Sequence, residues 1–125
     1  MNTRALILFG HGARDARWAA PFKRLQQIVQ QQLPDVTVTL AFLELMPPQL
    51  PELVEQLEEG GHTEATIVPV FFGQGGHVLR DLPLIIEKLR QDHAEMTIKV
   101  AGAVGEDADV LNAVATYCVA SLARQ

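Results

Sequence analysis

The sequence contains little of what marks several large classes of protein. A single cysteine, Cys118, excludes an internal disulfide framework and suits a reducing compartment. No apolar run approaches the roughly 20 residues that a membrane-spanning helix requires. The apolar stretch near the N-terminus, residues 5–9, is too short for the core of an export signal. We therefore expect a cytoplasmic protein without a membrane partner.

Positive charge is scarce too. The chain has 10 Lys and Arg residues against 15 Asp and Glu residues, which gives a formal net charge of −5. A general nucleic-acid binder carries a basic face, so this composition argues against a nucleic-acid partner. For an acidic ligand the few cations must be gathered locally, and Arg14, Arg17 and Arg80 are the candidates.

Strand patterns and helix patterns alternate along the chain, and we interpret residues 1–125 as one domain. The predicted strands cover residues 5–9, 36–42, 65–72 and 97–100. The predicted helices cover about residues 15–33, 50–59, 78–92 and 107–122. Pro69 interrupts the third strand pattern, which suggests an edge position, a bulge or a late start of that strand. Trp18, Tyr117 and Cys118 fit the apolar patterns of their helices, and we expect them in the core.

Four strand–helix units with short connections predict a parallel sheet with helices on both faces. In such sheets the loops that leave the carboxyl ends of the strands lie along one edge, and ligands bind there. His11 follows the first strand, Glu44 the second, and His77 the third after a short glycine loop. We therefore expect these three side chains at the same edge of the sheet.

Two imidazoles and one carboxylate form a usual ligand set for a borderline divalent metal such as Co, Ni, Fe or Zn. Three protein ligands also leave coordination positions open for a further partner. Taken singly, each residue has a simpler explanation, because a loop histidine commonly hydrogen-bonds its neighbours and a glutamate at a strand end is commonly solvated. Their combination on one edge predicts a metal site formed by His11, Glu44 and His77.

The glycine stretch before His77 allows two further interpretations besides a plain turn. Gly75 and Gly76 permit close approach of a ligand to the backbone. The same stretch also suits a small-anion site at the start of the third helix. No Gly-Lys-Ser/Thr sequence ends it, so it is not a Walker A motif, and we expect no nucleotide.

Other side chains near the predicted edge suit a flat, acidic ligand. Arg14 and Arg80 suit pairing with substrate carboxylates, although each also suits a surface ion pair with a neighbouring aspartate. Phe42, Leu43 and Met46 surround Glu44 in sequence and are candidates to line an apolar slot for a ring. We therefore name these five as candidate substrate-binding residues, together with the two glycines.

Three stretches resemble the CbiX/SirB family of sirohydrochlorin chelatases. They are Gly-His-Gly-Ala-Arg-Asp, Phe-Leu-Glu-Leu-Met-Pro-Pro and Val-Pro-Val-Phe-Phe-Gly-Gln-Gly-Gly-His-Val-Leu-Arg-Asp-Leu-Pro. The likeness runs through nearly the whole chain in order and spacing. It implies a chelatase-like three-layer α/β sandwich, with a four-stranded parallel sheet between helices.

The resemblance also implies an activity, which is the ATP-independent insertion of a divalent metal into sirohydrochlorin, an acidic tetrapyrrole. The metal, as substrate, is Co²⁺ or in some members Fe²⁺ or Ni²⁺, and the products feed cobalamin, siroheme or a nickel tetrapyrrole. His11 and His77 match the metal-binding and catalytic histidines of the family, and Glu44 matches its carboxylate. Ala13 stands where the family usually has Ser, so any role of that hydroxyl is absent here.

Length adds one more implication. Larger relatives carry two such halves in one chain, and the short form that this chain resembles is a homodimer that recreates the two lobes. We therefore expect half of a two-lobed chelatase and a homodimeric partner. Two other functions stay open: a non-catalytic metal-binding or metal-delivery domain, and a small-anion-binding module that uses the Gly75-Gly76 loop.

Overall fold

A computed structural model describes residues 3–73 and 76–124, apart from the side chains of residues 76–79. The strands are β1 (Arg4–Gly10), β2 (Thr37–Phe42), β3 (Glu64–Pro69) and β4 (Thr97–Val100). The helices are α1 (Ala20–Gln32), α2 (Leu50–Glu59), α3 (Gly76–Asp92) and α4 (Ala108–Ser121). Two short 3-10 helices, Ala16–Ala19 and Val104–Glu106, precede α1 and α4.

The four strands form one parallel sheet in the order β2-β1-β3-β4. The register places Ile7 of β1 between Thr39 of β2 and Ile67 of β3. α1 packs against one face of this sheet, and α2 and α3 pack against the other. The prediction of a parallel α/β sheet with helices on both faces is therefore confirmed.

The largest part of the core lies between the sheet and the pair α2 and α3. Its central side chains have no exposed surface, or almost none: Ile7, Phe9, Leu50, Val54 and Ile67. Ile7 and Phe9 are two residues apart on β1, and Leu50 and Val54 are four residues apart on α2, so the members of each pair lie on one face of their element. Within the described residues no charged or polar side chain is buried.

Pro69 differs from its prediction. β3 is an interior strand, not an edge strand, and it ends at Pro69 instead of continuing to residue 72. The backbone N–H of Val70 donates to Phe9 of β1, so the neighbouring residue 69 turns its nitrogen towards β4. β4 has already ended there, with Val100 opposite Ile67, and the missing N–H of proline therefore costs no ladder hydrogen bond.

The last helix also differs from its prediction. Tyr117 is 66 % exposed and Cys118 is exposed, so the expectation that both lie in the core is wrong. The reason is that α4 does not cover the sheet, and none of its 14 residues, all of which the structure describes, is buried. Trp18 is 36 % exposed and lies at the margin of the core, against Phe22 and Phe42. Over the described ranges, every helix is too short or too polar to cross a membrane.

Candidate metal site

Backbone pairing brings His11 and Glu44 together at the carboxyl edge of the sheet. β1 and β2 end opposite each other at Gly10 and Phe42. Hydrogen bonding continues past both ends, because the N–H of Leu43 donates to the Gly10 carbonyl at 2.9 Å and that of Glu44 donates to the His11 carbonyl at 3.2 Å. The two residues are thus held side by side by the same ladder that builds the sheet.

Their side chains are in contact. His11 Nε2 lies 3.2 Å from Glu44 Oε1, and the side chains are 46 % and 43 % exposed. An imidazole nitrogen and a carboxylate oxygen at this separation can ligate one divalent ion from an accessible position. The structure therefore brings together two of the three residues predicted to form the metal site.

Gly12 makes this contact possible. Its φ is +98°, and a Cβ built on it would collide with the backbone carbonyl of Glu44. Glycine alone has neither the steric cost of positive φ nor the side chain that would fill this space. Leu45, on the other side of Glu44, has a φ of 69°, which is uncommon for a residue with a side chain. Unusual backbone on both sides of the pair is typical of a functional site.

The first turns of α3 reach the same edge. A cavity of about 360 Å³ is lined by Leu43 and Glu44 from the segment after β2 and by Asp81, Leu84 and Ile85 from α3. Leu84 is 62 % exposed and Leu45 is 53 % exposed, so two apolar side chains near Glu44 are open to solvent. We call this edge of the cavity, with Leu45 and Leu84, the apolar rim. Leu84 was not among the predicted site residues, and its only signal in the sequence is that it is an apolar residue outside the buried stripe of α3.

The predicted third residue lies outside the described side chains. His77 is the second residue of α3, one helical turn before Asp81, and its side chain is not described. Gly75 also lies outside the described residues, whereas Gly76 is the first residue of α3. Among the side chains that are described, no three His, Cys, Asp or Glu residues cluster closely enough to hold a metal. The role of His77 as a ligand stays a prediction.

The arginine candidates all lie on exposed positions. Arg14 is in the loop that follows His11, and Arg80 is in the second turn of α3. Arg17 is bound to Asp15, with Nη2 2.7 Å from Oδ2. This side-chain hydrogen bond, and then the one from the Arg17 backbone N–H, lower the pKa of Asp15 below its ordinary value. Arg17 thus has a local partner that closes the loop at the start of the 3-10 helix.

The three apolar candidates around Glu44 have different surroundings. Phe42 is 4 % exposed and packs edge-on against Trp18 and Phe22, so it supports the core and is too buried to line a slot for a ring. Met46 is half-buried against the same cluster. Leu43 is half-buried and lines the cavity beside Glu44. The expectation for Phe42 failed because alternation along β2 turns it towards α1.

The profile of the CbiX family matches residues 5–118. The chain belongs to the CbiX family. A sirohydrochlorin cobaltochelatase from Methanopyrus kandleri is 32 % identical over 82 residues, which are 66 % of this chain and 57 % of that protein. One from Sulfolobus acidocaldarius is 25 % identical over 107 residues, 86 % of this chain and 83 % of its own. This CbiX-family chain thus matches less than two thirds of the first relative and most of the second.

Solved structures give the same family. The CbiX protein from Marinobacter aquaeolei VT8 superposes with a TM-score of 0.85 at 30 % identity, over 98 % of this chain and 99 % of that one. The sirohydrochlorin chelatase SirB from Bacillus subtilis subspecies spizizenii, solved with cobalt, gives a TM-score of 0.76 at 22 % identity. That match covers 91 % of this CbiX-family chain and 49 % of SirB, and at this identity it speaks for the fold alone.

Proposed function

We propose that this CbiX-family protein is an enzyme that inserts a divalent metal, Co²⁺ in the first place, into sirohydrochlorin without ATP. The observation that carries the proposal is the contact between His11 Nε2 and Glu44 Oε1, 3.2 Å long and open to solvent. The curated relatives from Methanopyrus kandleri and Sulfolobus acidocaldarius, both named sirohydrochlorin cobaltochelatases, supply the substrate and the reaction. A site that must pass its ion to a large ring needs such an accessible position.

His77 is the proposed third ligand and second catalytic histidine. It precedes Asp81 by four residues on α3, and residues so spaced share one face of a helix. Asp81 and Glu44 line the same cavity, which supports the proposal that His77 belongs to the site. A neutral imidazole there would complete two nitrogens and one carboxylate, and leave coordination positions for the pyrrole nitrogens.

The reaction requires a base as well as metal ligands. Two pyrrole N–H bonds break as the divalent ion enters the ring, so two protons leave while two positive charges arrive. The carboxylate of Glu44 or an imidazole of the site accepts these protons one at a time and passes them to water. Because both described side chains are more than two-fifths exposed, solvent has direct access to carry the protons away.

The ring is proposed to lie across the apolar rim. We propose that Leu43 and Met46, which flank Glu44, offer apolar surface to one face of the macrocycle. Gly75 and Gly76 have no side chains, and we propose that the edge of the ring passes them. Arg14 and Arg80, both exposed beyond the rim, are proposed to pair with the peripheral carboxylates of the substrate. Local cations of this kind would offset the repulsion between an acidic protein and an acidic ligand.

The proposed metal rests on the names of the relatives, because the proposed ligands do not distinguish between the candidate metals. Co²⁺, Fe²⁺ and Ni²⁺ accept the same imidazole and carboxylate donors, and availability in the cell commonly decides between them. We propose Co²⁺ because the curated relatives are named cobaltochelatases. We further propose that the protein acts in the cytoplasm, in a cobalamin or siroheme pathway, and that it works as a homodimer.

An assay that monitors metal insertion by absorbance tests this proposal. Purified protein with sirohydrochlorin and Co²⁺ is expected to speed insertion over the uncatalysed rate, and His11→Ala and His77→Ala are each expected to lower kcat/KM at least about 100-fold. His93→Gln is the matched control, because His93 pairs with Glu58 at the opposite edge of the sheet, with 2.8 Å between Nδ1 and Oε1.

Each alternative gives a different result. Tight Co²⁺ binding without accelerated insertion would indicate a metal-delivery domain and would overturn the enzymatic proposal. Phosphate binding that survives His77→Ala, with no metal binding, would indicate an anion module built on backbone amides. A wild-type rate in His11→Ala would remove His11 from the site.

A further inference from the structure

Leu45 has a backbone conformation that leucine rarely adopts. Its φ is 69°, and among the residues that the structure describes it is the only one besides glycine with a positive φ. In this left-handed region the Cβ of an L-residue crowds its own backbone. Glycine avoids that cost, and asparagine or aspartate offsets it with a side-chain hydrogen bond. Leucine does neither, so the cost at this position is left for another interaction to offset.

Backbone hydrogen bonds fix the segment that carries Leu45 at both of its ends. On one side the N–H of Glu44 donates to the His11 carbonyl at 3.2 Å. On the other side the carbonyl of Pro48 accepts from the N–H of Phe42 at 2.9 Å. The residues between these bonds form a closed turn beside the edge of the sheet. The place of Leu45, directly after the proposed metal ligand, is therefore set by the fold.

The apolar neighbours of Leu45 in this turn pack inward, whereas Leu45 does not. Leu43 packs against the core that lies between the sheet and the helices α2 and α3. Met46 packs against the core on the α1 side of the sheet. Leu45 lies between them in sequence and is 53 % exposed. The turn thus buries two apolar side chains on opposite faces of the sheet and leaves the third, the strained one, open to solvent.

A second exposed leucine belongs to the cavity beside Glu44. Leu84 of α3 lines this cavity of about 360 Å³ together with Glu44, and it is 62 % exposed. Apolar side chains in water are stabilised when a ligand removes their surface from solvent. Both leucines of the apolar rim are therefore open at the place where a substrate ring has to approach the metal.

We propose that Leu45 is a substrate-binding residue that sets the affinity for the macrocycle through apolar contact with one face of the ring. This assignment rests on the proposed function, which supplies the flat ring. The face of such a ring is apolar carbon and its carboxylates lie at the periphery, so an aliphatic side chain suits the face. Contact removes Leu45 from water, and this gain offsets the strained backbone, as is common where strained residues hold a ligand.

An apolar contact of this kind acts on ring affinity and not on the metal. The side chain of Leu45 has no donor or acceptor, so it neither ligates an ion nor moves a proton. Its contact with the ring is the same before and during metal insertion. Loss of the contact is therefore expected to raise KM for sirohydrochlorin and to leave kcat unchanged. A purely structural role, in which Leu45 places Glu44, would instead lower Co²⁺ affinity and kcat.

Two substitutions at this position separate the contact from the strain. Leu45→Ala removes the contact and keeps the strain, whereas Leu45→Gly removes both. We expect each variant to raise KM, and the Kd of sirohydrochlorin without metal, at least about 10-fold. We expect kcat and the affinity for Co²⁺ alone to stay at the wild-type values. Leu45→Gly is expected to have a Tm at least as high as that of Leu45→Ala, because glycine adopts a positive φ without strain.

Ile28→Ala is the matched control. Ile28 lies in the second half of α1 and is 53 % exposed, the same fraction as Leu45. Its loss removes an equally exposed apolar side chain from another surface and is expected to leave KM and Kd unchanged. Leu45→Met is the conservative variant. It is expected to keep the affinity for the ring, because methionine has a similar volume and an apolar side chain.

Titration of sirohydrochlorin without metal, monitored by absorbance, distinguishes failure of this assignment from failure of the chelatase proposal. Wild-type Kd and KM in Leu45→Gly, with insertion by the wild-type protein, would overturn the role of Leu45 alone. Lower Co²⁺ affinity and kcat at an unchanged KM would also overturn it, because Leu45 would then act by placing Glu44. Ring binding that weakens in Leu45→Gly, without insertion by the wild-type protein, would overturn the chelatase proposal and support Leu45. A wild-type protein that binds no sirohydrochlorin would overturn both.

Discussion

Replacement of Gly12 by alanine is the sharpest perturbation of the proposed metal site, although it changes no ligand. Gly12 has a φ of +98°, and the added methyl group would collide with the carbonyl oxygen of Glu44. Two costs follow. The first is conformational strain at positive φ, and the second is displacement of the segment that carries Glu44. A control variant that has the strain without the collision separates the two costs.

The loss of stability in Gly12→Ala is the sum of these two costs. Strain of an L-residue in the left-handed region is about 1–2 kcal/mol. The collision is relieved only if the two segments separate, which breaks the hydrogen bond from the Glu44 N–H to the His11 carbonyl, now 3.2 Å, at a cost of about 0.5–1.5 kcal/mol. The sum, about 1.5–3.5 kcal/mol, corresponds to a fall in Tm of about 10 °C for a domain of this size. A displacement of about 1 Å at the site also lowers activity about 100-fold.

Gly61→Ala is the matched control. Gly61 has a φ of +93°, and a Cβ built on it meets no atom within 4 Å, so the variant has the strain without the collision. Thermal unfolding, Co²⁺ binding by calorimetry and cobalt insertion by absorbance are measured for both variants. We expect both to lose stability, and only Gly12→Ala to lose metal affinity and insertion rate. If Gly12→Ala and Gly61→Ala insert cobalt equally well, Gly12 does not position Glu44.

Three further predictions concern residues at or near the proposed metal site. Glu44→Gln keeps the shape of the side chain but removes its charge and basicity. This variant is expected to lower kcat/KM for insertion about 100-fold with an unchanged Tm. An unchanged rate would exclude Glu44 as ligand and base. Acidification from about pH 7.5 to about pH 5.5 is expected to weaken Co²⁺ binding in calorimetry, because protons compete with the metal for imidazole nitrogens; a constant affinity would contradict histidine ligation. Arg17→Ala is expected to raise the pKa of Asp15 towards its ordinary value, since the Arg17 side chain is the main cause of its lowering; NMR titration of the Asp15 carboxyl measures this, and an unchanged midpoint would contradict it.

The placement of His11 and Glu44 at one edge of the sheet was predictable from the sequence. His11 follows the first apolar strand and Glu44 follows the second. In a parallel sheet the residues that follow the strands lie at the same edge. The 3.2 Å contact confirms that placement. The special backbone of Gly12 was not predictable in the same way, because a glycine beside a histidine fits any turn. Its importance comes from the carbonyl of Glu44, more than thirty residues away in sequence.

Three wrong predictions share a different cause. Phe42, Pro69 and Tyr117 were each placed from the pattern of their own segment, whereas their surroundings depend on which element packs against that segment. Phe42 faces α1 and is buried, and Pro69 lies where β4 has already ended. Tyr117 belongs to a largely apolar helix, but the pattern of a helix does not specify which element packs against it, and α4 does not cover the sheet. The tertiary neighbours of each segment therefore set the limit of the prediction.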